Sequence, residues 1–118
     1  MAVRTWTGAV DSDWGTAGNW DTGVPADADT ATFDVTSNVA CTLTGADTCA
    51  VLTMTSDYTA TLALGTTGLS VTGAVTLADE TVITGLLKLT GAAAQAFTGN
   101  NADIGDVQII STDTVTFS

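Results

Sequence analysis

The stretch VLTMTSDYTATLALGTTG (Val51–Gly68), followed by LSVTGAVTLADETVITG (Leu69–Gly85), LLKLTGAAAQAFTGNNAD (Leu86–Asp103) and IGDVQIISTDTVTFS (Ile104–Ser118), decides the fold. Similar short apolar segments return after roughly 17 to 20 residues, a period that reads as stacked β-coils. Each segment opens with alternating apolar residues, Leu52/Met54, Leu69/Val71, Leu87/Leu89 and Val107/Ile109, the period of two expected when one strand face is buried. A turn and a second apolar group follow: Leu62/Leu64, Val82, Phe97 and Val115/Phe117. The expectation is an all-β chain forming a short parallel β-solenoid of about four to five rungs, with a β-sandwich as the alternative that periodicity alone leaves open.

Composition agrees with an all-β domain. A chain of 118 residues has the size of one domain, and about a fifth of its residues are Thr, a strand former. No window carries helical apolar spacing, and the most helix-like run, Ala92–Ala96, is too short to stand alone.

The formal charge is −11, and Arg4 and Lys88 are the only basic residues. Nucleic-acid binding, which needs cations to neutralise phosphates, is excluded on that ground. Anionic membrane surfaces are disfavoured for the same reason, and no apolar run approaches the ~20 residues that span a bilayer. The acidic residues are expected mostly in turns, where they keep a Thr-rich β-protein soluble and discourage edge-to-edge pairing.

There is no histidine, which removes His-based triads, His-ligated zinc and the commonest general base. Two cysteines do not make a four-ligand zinc site, and no phosphate-binding loop is present. Carboxylate pairs serve glycosidases, but polysaccharide-degrading solenoids use a long groove built from many rungs, so no enzymatic activity is expected. Asp11/Asp13, Asp27/Asp29 and Asp103/Asp106 are the only candidate calcium pairs. None fits the EF-hand loop or the calcium-binding solenoid repeat, and no cofactor is expected.

The segment Thr5–Asp34 differs from everything after it. It holds all three Trp, the single Pro, four Gly and six of the Asp. It reads as a loop-rich cap over residues 1–34, with short strands at Val3–Thr7 and Thr30–Val35, set on solenoid repeats over 35–118. An open solenoid end needs a cover, and Trp6, Trp14 and Trp20 each bring roughly 150–250 Å² of surface to bury in a cap or an interface. The pattern Trp6, Gly8, Trp14, Asn19, Trp20, Gly23, Pro25, Asp29 and Phe33 resembles the leading motif of β-solenoid surface proteins. Similar openings introduce Gly- and Thr-rich repeats in bacterial autotransporter-like proteins and in small structural proteins of tailed-phage virions. The chain departs from the bacterial group in its shortness, and MAVRTWTG lacks the features of a secretory signal. The resemblance therefore implies a capsid decoration (cement) protein or head fibre, made in the host cytoplasm and assembled on the outer capsid surface against the major capsid protein. A carbohydrate-binding adhesin or fibre module is the alternative.

Val35–Ala50 is expected to form the first full rung, with Val39, Cys41 and Leu43 facing inward and Gly45-Ala46-Asp47 as its turn. Cys41 and Cys49 are expected as buried free thiols, although a bridge between them is geometrically possible. Gly65, Gly68, Gly73, Gly85, Gly91 and Gly99 mark corners, and Thr at alternate positions suits an outward face. The chain's last segment is strand-like up to Phe117, an apolar edge that a neighbouring subunit would cover. A homotrimer burying the solenoid sides is the favoured assembly. Trp6, Trp14, Trp20 and Phe117 are accordingly the candidate partner-binding or capping residues.

Overall fold

The computed structural model describes residues 2–118 as a parallel β-solenoid of about four turns. The described residues form twelve strands: β1 Val3–Thr5, β2 Thr30–Phe33, β3 Cys41–Thr42, β4 Asp47–Cys49, β5 Val51–Met54 and β6 Thr61–Ala63. They continue with β7 Leu69–Val71, β8 Val75–Leu77, β9 Val82–Leu89, β10 Gln95–Thr98, β11 Asp103–Ile109 and β12 Val115–Phe117. One sheet has the order β1-β2-β5-β8-β10-β12. The other has β3-β6-β9-β7-β4, with β11 also on β9, and every strand pairing is parallel.

Each coil contributes one strand to the first sheet and then two strand segments to the second. In the early coils those two segments are separate, as in β6 and β7, whereas in β9 and β11 they run together. This corrects the repeat read from the sequence. The strand at Val51 stacks on β8 and not on Leu69, and the first-sheet pairs Thr30↔Val51, Leu52↔Val75, Phe97↔Val75 and Gln95↔Val115 span 21, 23, 22 and 20 residues. The turn Gly65–Gly68 bends the chain within a coil, between β6 and β7, so a boundary drawn there cuts a coil in two.

Alternation within a strand places the core, and register stacks it into ladders. Ala31, Leu52, Val75, Phe97 and Phe117 form one ladder of the first sheet, and Phe33, Met54 and Leu77 another. In the second sheet, Cys41–Leu62–Ile83–Ile104 and Cys49–Val71–Leu89–Ile109 run through successive coils. Three inward assignments change. Val39 is 40% exposed and lies outside the strands, so only Cys41 and Leu43 of its trio are buried. Ile83 rather than Val82 faces the core. Val107 is half-buried and Ile109 is exposed, since among the described residues β11 is covered on its β9 side alone. The Ala92–Ala96 run is not helical: a bend at Ala92–Ala93 leads into β10, whose first residues are Gln95 and Ala96.

Candidate functional site

The first and last described coils of the solenoid are built differently. At the N-terminal end the three indoles are buried, none more than 4% exposed. Phe33 on β2 sits among them: its ring centroid lies 6.0 Å from Trp6, 6.0 Å from Trp14 and 5.7 Å from Trp20, with Tyr58 5.1 Å away. Trp20 meets Trp6 at 5.3 Å and Trp14 at 4.9 Å, both edge to face, the arrangement favoured by aromatic quadrupoles.

The polar edges of this cluster are mostly satisfied. Trp6 Nε1 donates to the Val39 carbonyl at 2.9 Å, the Tyr58 hydroxyl donates to the same oxygen at 2.7 Å, and Trp20 Nε1 donates to the Trp14 carbonyl at 2.8 Å. Trp14 Nε1 is buried with no partner among the described residues.

The other residues of the N-terminal motif hold this lid in place. Buried Asn19 accepts the N–H groups of Val10 and Asp11 and donates to the Asp13 carbonyl and the Asp11 carboxylate. Asp29 accepts from the N–H groups of Ala2 and Ala26 and from Arg4 Nε, and Arg4 also donates to the Thr22 carbonyl. These backbone donors, Ala26 before Ala2, together with Arg4 hold the Asp29 carboxyl at about 2, below its ordinary 3.8. Hydrogen bonds to the Asp13 backbone and to Asn19 lower Asp11 in the same way. Asp11 and Asp29 thus accept hydrogen bonds that shape loops.

The lid also closes strand edges. Asp21 donates its N–H to Thr5 of β1 and accepts the Thr5 N–H, while Trp14 and Ser12 bond both backbone groups of Thr42 on β3. The remaining edge at this end, β4, is three residues long and opens on Asp47. Asp47 heads the ladder Asp47–Leu69–Leu87–Val107, and burial raises its carboxyl, opposed by the N–H it accepts from Thr48 and aided by the charge of Asp27. Cys41 and Cys49 are free, buried, and at the head of different ladders. Burial, then the charge of Asp47, pushes the Cys49 thiol up to about 12; burial and Asp13 raise Cys41 similarly.

Ile109, Ile110 and Phe117 are about half exposed, and Phe117 rests on Phe97 with ring centroids 5.3 Å apart. Of the four candidate residues, the structure therefore gathers the three Trp into one interior cluster and leaves Phe117 on the surface at the far end. Sequence reasoning did not find Tyr58, Arg4 or the Val39 carbonyl, because their partners lie 18 to 33 residues away.

Two open grooves flank the coils. One, of about 680 Å³, is lined by Ser56, Ala78, Asp79, Asn100, Asn101 and Ser118. The other, of about 440 Å³, is lined chiefly by Thr42, Thr66, Thr84, Gly85, Leu86 and Asp106. Each has a single carboxylate and no aromatic platform on which a sugar ring could stack. In comparisons with protein-family models, curated proteins and solved structures, none matched this chain.

Proposed function

We propose that this chain is a non-enzymatic structural protein of a phage virion, a capsid decoration (cement) protein or head fibre on the outer shell, bound to the major capsid protein. The observation that carries the reading is the distribution of exposed large apolar side chains. They lie in β1 and the cap, at Val3 and Val10, in the loop between β2 and β3, at Val35 and Val39, and in the last described coil, at Ile109, Ile110 and Phe117. The sheets between them expose Thr at positions such as Thr42, Thr76 and Thr84. Thr-rich sides beside an exposed apolar group on the cap and its flanking loop suit a part assembled in many copies, and the resemblance of the Trp motif supports the same reading.

With the indoles committed to the interior, the shell contact is assigned to the outside of the cap, where the exposed valines stand in for aromatic anchors. The distribution also favours association through an end over a homotrimer packed through apolar sides. Co-sedimentation with purified capsids tests the proposal. Binding that Val10→Asp and Val39→Asp abolish, with the melting temperature unchanged, is the expected result. Retention on a glycan array without capsid binding would favour the carbohydrate-binding module instead.

A further inference from the structure

We propose that the outward face of the first sheet is an ice-binding surface, on which a ladder of threonines holds water in the repeat of a growing crystal. This goes beyond assembly on a shell and does not depend on it.

Register builds the ladder. Thr5 pairs with Thr32, Thr32 with Thr53, Thr53 with Thr76 and Thr76 with Thr98, so β1, β2, β5, β8 and β10 bring a threonine to the same position in five successive strands. The residues just before these threonines on β2, β5, β8 and β10, namely Ala31, Leu52, Val75 and Phe97, are buried, so alternation turns the threonines outward. Two residues back along each strand, Val3, Thr30, Val51, Ala74 and Ala96 face the same way and form a second column of methyl and hydroxyl groups. No residue of either column is buried.

The backbone sets the spacing. Parallel strands lie about 4.8 Å apart and a two-residue step covers about 6.6 Å, so the two columns form a grid roughly 19 Å long with those repeats. The first repeat is close to that of water molecules along the a axis of hexagonal ice, and the second is near the repeat along its c axis. The pairing runs through the five strands without a register shift, so the grid is continuous.

The chemistry of the face selects the ligand. The chain carries 13 Asp and Glu and 2 basic residues, and none of them stands in either column. A charge there would keep its own hydration shell, which costs several kcal/mol to strip. At the β1 edge of the face the Asp21 carboxylate is engaged by the Thr5 N–H and the Thr22 hydroxyl. Hydroxyls at ladder spacing are too far apart to bond one another. The Thr hydroxyls that do bond within the chain, those of Thr16, Thr22, Thr44, Thr59 and Thr81, all stand elsewhere. Those of the ladder are left to water, each beside a methyl group that restricts the orientation of the water next to it. Neither column offers the aromatic or Arg anchor on which a protein interface is built.

Ice growth in the presence of the 118-residue chain is the test, read as the gap between the melting and freezing points of a single crystal and as the arrest of recrystallisation in frozen sucrose. The chain should open such a gap, shape the crystal into facets and partition into it from solution. Thr53→Tyr/Thr76→Tyr, which sets two rings in the middle of the grid, should abolish all three effects. Thr76→Lys, a single change at an exposed position, places a charge in the grid and should abolish them too. Gln108→Tyr, exposed on β11 of the second sheet, should leave them unchanged. Circular dichroism and the emission of the buried indoles show that each variant is folded. Crystals that grow as freely as in buffer, activity that survives in a folded Thr variant, or activity lost equally on Gln108→Tyr would each overturn the proposal. So would a dimer in sedimentation that the Tyr pair dissolves, because it would give the face to a second copy of the chain.

Discussion

Replacing Gly85 by Ala should be among the most damaging single-methyl changes in the chain. Gly85 lies inside β9 with φ of +85°, and Gly65 and Gly105 occupy the same corner in the coils on either side. A Cβ there would stand 2.5 Å from the Gly65 nitrogen, 2.6 Å from its oxygen and 3.0 Å from the Leu64 carbonyl carbon. All three are backbone atoms in a hydrogen-bonded layer, so none can swing aside as a side-chain tip could. The left-handed backbone costs about 1–2 kcal/mol for an L-residue. Forcing the layers apart adds roughly 1–3 kcal/mol. The sum is about 2–5 kcal/mol, which for a chain of this size lowers Tm by about 8–20 °C.

Thermal and urea unfolding, followed by circular dichroism and by the emission of the buried indoles, measures it. Gly45→Ala is the control, since nothing lies within 4 Å of its Cβ position and the change should stay within about 0.5 kcal/mol. If Gly85→Ala melted within about 4 °C of the parent, or Gly45→Ala lost as much, the close stacking of coils at this corner would be wrong.

Two further predictions concern carboxylates. Because the folded pKa of Asp29 lies near 2, below the ordinary 3.8, its share of stability is complete above about pH 4 and is lost as pH falls towards 2. Asp29→Asn should lower stability at pH 7 and flatten the acid limb of a Tm–pH profile; a parallel profile would remove Asp29 as the pin of the first strand. Asp47 has the opposite shift: the folded state holds its proton to higher pH than the unfolded chain does, so the ionised form at neutral pH costs stability. Asp47→Leu should extend the Leu69–Leu87 ladder by one layer and stabilise by about 1 kcal/mol, or raise Tm by about 4 °C. An unchanged or lower Tm would show that Asp47 does not face the core.

What could be read from the chain alone was local. Leu52/Met54, Leu69/Val71 and Leu87/Leu89 face inward because a strand turns successive side chains to opposite faces, and that rule needs no knowledge of neighbours. The sparse aromatic content outside residues 5–34 and the clustering of Trp, Gly and Asp within them were equally visible as composition.

Which strand lies on which was decided only in three dimensions. Register joins residues 18 to 27 apart, and a corner inside a coil, at Gly65–Gly68, has the same local chemistry as a corner between coils. The fate of the indoles was likewise settled at a distance, since Phe33 and Tyr58 supply the surfaces that enclose them and the Val39 carbonyl takes one of their N–H groups. Alternation is a property of one strand, whereas burial at an end depends on whether another layer follows. Leu89 and Ile109 occupy the same ladder with opposite exposure for that reason alone.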